Sequence, residues 1–556
     1  MTYALNQSAM KKGIIFIALC FIALSTTAQE QVRSVIRPGN QPMAQGKFQP
    51  TWKSLEQFVV PDWFRNAKFG IWAHWGPQCQ PGQGDWYARM MYSQGSDQYN
   101  WHVKNYGHPS KAGFKEVINS WKADQWDPEK LIALYKRTGA QYFFALANHH
   151  DNLDLWNSKY QEWNSTRVGP KKDIIAGWAA AAKKNNLPFG LSVHASHAWS
   201  WYETSQQSDR EGPMAGVPYD GTLTLADGKG KWWEGFDPAQ LYVQNHAKSE
   251  GSEDFRSLSR QWEWGNGSTT PSLEYCEKFY NRTVDLINQF HPDLLYFDDT
   301  GLSLYPISDA GLRIAAHFYN DNSARHEGKL QGVLFGKVLN ESQKKSLVWD
   351  VERGAPEKGQ DLPWQTDTCI GEWHYKNSIY EEDKYKTAAD VIHLLVDIVS
   401  KNGNLLLNIP LKGDGSMDDK EARVLQGIAD WMDVNKESIF DTRPWRIFGE
   451  GPAADAVNPI SAQGFNEGKI KFTGKDLRFN KKGDILYVTA LGVPDGKVAV
   501  KNLGTMRESA MISKIELLGS KEKIKWKQSA EELGIEKPRN TPNQIAFVFK
   551  VYLKTK

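Results

Sequence analysis

Two stretches of this chain end in carboxylates at positions where chemistry could be done. Asp293-Leu294-Leu295-Tyr296-Phe297-Asp298-Asp299 is an apolar run closing in acid, and Ser346-Leu347-Val348-Trp349-Asp350-Val351-Glu352 repeats the pattern. A buried parallel strand reads as such a run and delivers its terminal acid to a pocket. Two carboxylates on separate strand ends of one barrel are the minimum equipment for cleaving a glycosidic bond. One attacks the anomeric carbon and the other moves the proton. Alternation lets only one of Asp298 and Asp299 face the pocket, whereas Asp350 and Glu352 share a face.

Other short apolar runs supply the remaining wall. Lys68-Phe69-Gly70-Ile71-Trp72-Ala73-His74-Trp75, Gln141-Tyr142-Phe143-Phe144-Ala145-Leu146-Ala147-Asn148, Pro188-Phe189-Gly190-Leu191-Ser192-Val193-His194, Gly332-Val333-Leu334-Phe335-Gly336 and Asn404-Leu405-Leu406-Leu407-Asn408 read as strands. Helical patterns lie between them. Over 387–399, Thr387 and Asp390 cap the start while Val391, Leu394, Leu395 and Ile398 line one face. Alternation of strand and helix, with about seven strands, predicts an α/β fold: a (β/α) TIM-like barrel with insertions. The C-terminal ends of barrel strands converge on one mouth. His74, the pair His149-His150 before Asp151, His194, Asp298 and Glu352 can therefore meet around one small ligand.

The domain reading is a signal peptide over 1–28, a polar linker over 29–50, a barrel over 51–445 and an antiparallel β-sandwich over 446–556. Lys11 and Lys12, the apolar stretch 13–24 and Thr26-Thr27-Ala28 have the order of an export signal. That predicts a periplasmic or secreted protein. No later segment approaches the roughly 20 apolar residues of a spanning helix. The segment 205–270, rich in Gly, Asp and Trp, reads as a substrate-contacting insertion. In the last region Asp484-Ile485-Leu486-Tyr487-Val488-Thr489-Ala490-Leu491 and the run 544–552 are strand-like, with turn signals at Lys482-Gly483-Asp484 and Pro494-Asp495-Gly496.

Composition narrows the partner. With 67 Lys+Arg against 65 Asp+Glu, the net charge of +2 gives no electrostatic footprint for nucleic acid. The 23 Trp, 21 Tyr and 24 Phe suit a carbohydrate, because aromatic faces stack on the C–H face of a sugar. Once Cys20 leaves with the signal, Cys79, Cys276 and Cys369 remain, an odd number that cannot form a complete disulfide framework. No C-x-x-C pair marks a structural zinc site.

The chain also resembles a known family. Lys68-Phe69-Gly70-Ile71-Trp72-Ala73-His74-Trp75-Gly76, Asp85-Trp86-Tyr87 with Met91-Tyr92, His149-His150-Asp151, Tyr296-Phe297-Asp298 and Lys401-Asn402-Gly403-Asn404-Leu405-Leu406-Leu407-Asn408 are similar, in order and spacing, to the signatures of α-L-fucosidases, glycoside hydrolase family 29. The resemblance implies a barrel with a C-terminal β-sandwich, no metal or organic cofactor, and retaining hydrolysis of terminal α-L-fucose from oligosaccharides or polysaccharides. It puts the nucleophile on Asp298, with Asp299 as rival, and the acid/base on Glu352, with Glu372 as competitor. It implies fucose contacts at His74, Asp85, Trp86, His149, His150 and Tyr296, and at Trp373 against the sugar's methyl group. Two departures stand out. Ser192-Val193-His194 replaces a common Tyr-Tyr-Ser run, and no arginine stands near Gly336-Lys337, leaving His194 and Lys337 to serve instead.

Two further readings keep the barrel. One is a related retaining glycosidase for another sugar or a sulfated fucan, and the other a carbohydrate-binding barrel without catalysis. A panel of aryl glycosides separates the three. The oligomeric state has no signal in the sequence.

Overall fold

The computed structural model describes residues 32–252, 264, 268–461, 464–508 and 510–554. The leader expected over 1–28 and part of the insertion lie outside the described residues. Eight parallel strands close a barrel in chain order: β1 Phe69–Ala73, β2 Tyr142–Asn148, β3 Phe189–Val193, β4 Leu294–Thr300, β5 Val333–Lys337, β6 Val348–Glu352, β7 Trp364–Cys369 and β8 Gly403–Asn408. β1 pairs with β8 to complete the ring.

Seven of these are the apolar runs of the sequence. The eighth, β7, carries Trp364-Gln365-Thr366-Asp367-Thr368-Cys369 and has no apolar signature, yet every one of its residues is buried. Its inward polar side chains find partners on other strands: Gln365 donates to Asp350 at 2.8 Å, and Tyr296 donates to one oxygen of Asp367 at 2.8 Å. Hydrogen-bonded polar groups can be buried without the cost of orphaned ones, which is how this strand escapes the hydrophobic pattern.

Helices cover the outside. Leu273–Phe290 packs against Ala310–Arg325. Ala388–Ser400 starts at the capping box of Thr387 and Asp390 and buries Val391, Leu395 and Ile398. The stretch expected as a linker is not free chain from Arg33 onward. Val35 and Phe48 are fully buried. Their amides donate to Asp309 at 2.8 Å and Asn320 at 3.0 Å, fixing the segment along helix Ala310–Arg325. Two apolar anchors in a polar stretch suffice when side-chain acceptors take the backbone bonds.

The C-terminal region is antiparallel. A five-stranded sheet runs β13 Met511–Leu517, β16 Phe547–Lys554, β11 Ile485–Ala490, β10 Leu477–Lys482 and β9 Arg443–Glu450; a three-stranded sheet runs β12 Val498–Val500, β15 Leu533–Ile535 and β14 Trp526–Gln528. Phe479, Leu486, Phe549, Val500 and Ile535 belong to one apolar cluster between them. Arg478 of β10 pairs with buried Asp397 of helix Ala388–Ser400, tying this domain to the barrel. Among the described residues no helix is long and apolar enough to cross a membrane.

Candidate active site

Alternation along β4 turns Tyr296 and Asp298 into the barrel and Asp299 out of it. Asp299 accepts from Ser196 at 2.7 Å and Ser303 at 2.5 Å, and its other oxygen lies 2.6 Å from His197. Asp298 faces the mouth. Its Oδ1 lies 2.7 Å from Lys337 Nζ, and its Oδ2 lies 3.3 Å from His194 Nδ1 and 3.5 Å from His150 Nε2.

Lys337 ends β5, and Glu352 ends β6. The same ammonium that holds Asp298 lies 2.6 Å from Glu352 Oε2. Two carboxylate oxygens bound to one nitrogen can be separated by no more than the sum of those contacts. That bound excludes the roughly 6.5–9.5 Å spacing of inverting glycosidases for these two oxygens and is compatible with the closer pair of retaining ones. Glu372 is placed differently. It accepts from the Trp373 amide at 3.1 Å and lies 3.9 Å from Arg353, so Arg353 turns toward Glu372.

Environment separates the two paired acids. Burial pushes the Asp298 carboxyl up, but the Lys337 ammonium and the bonds from His150 and His194 outweigh it and hold Asp298 well below the usual carboxylate range. Burial pushes Glu352 up to about 7; Lys337 opposes this, while Asp367 and Asp298 add to it. Lys337 loses stability as a cation through burial and regains more from Asp298 and Glu352, so it stays charged. One acid is ionised and its neighbour retains a proton near neutrality, the division of roles that acid–base chemistry requires.

Behind this pair, Asp350 and Asp367 each keep a buried oxygen without a donor in the protein. Burial and their mutual repulsion raise Asp350 well above its ordinary value, and burial also raises Asp367. A shared proton between the two carboxyls satisfies both.

Histidines line the rest. The His74, His149 and His374 rings lie 4.8 to 5.1 Å apart, centroid to centroid. Their hydrogen bonds assign tautomers. Gln78 Nε2 donates to His149 Nδ1 at 2.7 Å, which leaves the His149 proton on Nε2. His374 Nδ1 donates to Asp85 at 2.6 Å, which leaves Nε2 as a buried acceptor without a partner. Neither ring nitrogen of buried His74 is bonded. Burial holds His74 and His149 well below the usual imidazole range, and brings His194 down to about 4. Neutral rings offering both donors and acceptors match a polyol.

Donor atoms of His74, Asp85, His149 and His374 lie within 4.8 Å of one another, as do those of His149, His150 and His194. These groups are also the ones within reach of a cation. The proton that Gln78 assigns to His149 Nε2 suits a hydroxyl acceptor better than a metal.

The other expected contacts fall around this corner. Trp373 packs 5.6 Å from both Trp72 and His74. Trp86 follows Asp85 in a left-handed conformation, φ 60°, rare for an aromatic residue and typical of functional sites. Sequence reasoning missed His374, whose neighbour Trp373 was in view, and Asp367, hidden on the polar strand β7.

An eight-stranded parallel barrel with two carboxylates at its mouth is an arrangement glycoside hydrolases use. Residues 36–437 match the family model for α-L-fucosidase, and residues 466–554 match that for the α-L-fucosidase C-terminal domain. The chain belongs to the α-L-fucosidase family. It is 24% identical to human tissue α-L-fucosidase over 546 residues, covering 97% of this chain and 96% of that protein. It is 23% identical to an α-L-fucosidase of Branchiostoma floridae, covering 90% and 94%. Among solved structures, the Thermotoga maritima α-fucosidase in complex with fucose shares the fold with a TM-score of 0.64 at 22% identity, over 91% of this chain and all of that one. Isoenzyme 1 from Paenibacillus thiaminolyticus does so with a TM-score of 0.59 at 18% identity.

Proposed function

We propose that this α-L-fucosidase releases terminal α-L-fucose with retention, using Asp298 as nucleophile and Glu352 as acid/base. Asp298 attacks C1 as the bond to the leaving oxygen breaks, and the Glu352 proton passes to that oxygen. Glu352 then takes a proton from water, whose oxygen attacks C1 and frees the Asp298 carboxylate. Lys337 holds both acids in place and offsets their charge. His74, His149, His150, His194 and His374 with Asp85, Trp86, Tyr296 and Trp373 form the fucose pocket. The substrate is a fucosylated oligosaccharide or polysaccharide, met outside the cytoplasm if residues 1–28 act as an export signal.

The observation that carries this reading is the single Lys337 ammonium shared by Asp298 and Glu352. Azide is the test. With a Glu352→Ala variant and an aryl fucoside, azide should restore turnover and yield fucosyl azide of the substrate's own anomeric configuration. Rescue at Glu372→Ala instead would move the acid role there. Absence of any fucoside cleavage by the native enzyme would reject the activity.

A further inference from the structure

The C-terminal domain reaches the proton donor itself. β5 pairs with β6 only through Phe335↔Val348 and Gly336↔Trp349, so the rest of β6 is open on that side. On the other side the Arg353 amide donates to the Asp367 carbonyl of β7 at 2.8 Å. The Glu352 carbonyl belongs to the same planar peptide and therefore faces the open edge. Gly464 forms a parallel bridge to Glu352 there, and the Phe465 amide donates to the Glu352 carbonyl at 2.8 Å.

This contact is built for closeness. Gly464 has φ 143°, and a Cβ added to it would lie 2.0 Å from the Glu352 carbonyl oxygen. Ser461 and Gly464 exchange two backbone hydrogen bonds, at 2.9 and 3.0 Å. The Asn466 amide bonds Ala355 in both directions, at 2.9 and 3.0 Å. Phe465, between these anchors, has φ 60°, a strained conformation for a bulky residue. The residue is nonetheless 48% exposed, so burial is not what compensates the strain.

The backbone bond sets this exposed residue beside the strand end that carries Glu352. Glu352 protonates the oxygen that leaves, so the sugar carrying that oxygen must sit on the rim beside Glu352, outside the histidine-lined pocket. We propose that Phe465 is the platform of a leaving-group subsite, stacking on the C–H face of the pyranose to which fucose is attached. The proposal rests on the fucosidase reading above. It makes the C-terminal domain part of substrate recognition, with a neutral pyranose ring as the ligand.

Two substrates test it: α-L-fucosyl fluoride, whose leaving group has no ring, and the fucosylated di- and trisaccharides that the native enzyme cleaves. Phe465→Ala, an exposed truncation that should leave folding intact, is expected to lower kcat/KM on the oligosaccharides roughly three- to tenfold. Turnover of the fluoride should be unchanged, and Phe465→Trp should restore the oligosaccharide rate. Equal losses on both substrates, no loss on the oligosaccharides, or native cleavage of the fluoride alone would each overturn the subsite. Failure of the native enzyme on the fluoride itself rejects the fucosidase activity and the subsite with it.

Discussion

Asp298 and Asp299 are neighbours on β4 whose carboxylates serve opposite sides of the barrel wall. Asp298 meets Lys337, and Asp299 meets Ser196, Ser303 and His197. Their isosteric variants should therefore fail differently. Asp298→Asn is expected to lower kcat by about 10³-fold or more with the fold retained. Asp299→Asn should cost about 1–3 kcal/mol of stability by turning an amide NH2 toward hydroxyl donors. Kinetics beside thermal melts of both variants decide; a kcat loss at Asp299 larger than at Asp298 would reverse the roles.

The pH profile follows from the two acids. Glu352 must be protonated to act as acid, so kcat/KM should fall as pH rises through about 7. Asp298 must be ionised, and because it lies well below the usual range, activity should persist in acid. Lys337 lowers both acids, so Lys337→Gln should move both limbs of the profile upward. Limbs that stay in place would deny Lys337 its electrostatic part.

His374 is a buried acceptor whose tautomer depends on Asp85. His374→Ala should cost about tenfold in kcat/KM on fucosyl fluoride through one lost hydrogen bond to a hydroxyl. Asp85→Asn should cost less, since its side-chain oxygen can still accept from Nδ1. Equal kcat/KM in wild type and His374→Ala would remove His374 from the pocket.

The Asp350–Asp367 pair ties stability to pH. Both folded carboxyls are raised above their ordinary 3.8, so the stability they contribute is full below that value and is lost as pH rises. Asp350→Asn supplies a fixed hydrogen in place of the shared proton. Its melting temperature should decline less between mildly acid and alkaline pH than that of the native enzyme, and parallel curves would refute the shared proton.

Gly464 admits no side chain against the Glu352 carbonyl. Gly464→Ala must displace β6 at its catalytic end. It should lower kcat about tenfold or more while competitive inhibition by fucose stays near the native value. Weakened fucose binding with intact kcat would show that the contact serves the pocket instead.

Much of the barrel was legible because seven of its strands are largely buried and so read as short apolar runs. β7 was not, because Gln365 and Asp367 bond to Asp350 and Tyr296 of other strands, and no local pattern records a distant partner. The same holds for the 33–50 segment, whose acceptors Asp309 and Asn320 lie far along the chain.

The sequence by itself determined seven of the eight barrel strands, the acids at their ends and, through motif order, the α-L-fucosidase family, since each depends on local periodicity or residue type. Only the tertiary structure decided that Lys337 joins Asp298 to Glu352, that Asp85 bonds His374, and that Gly464 and Phe465 reach Glu352. Those contacts link residues from different strands and domains, and their energies depend on burial and distance that exist only once the chain has closed.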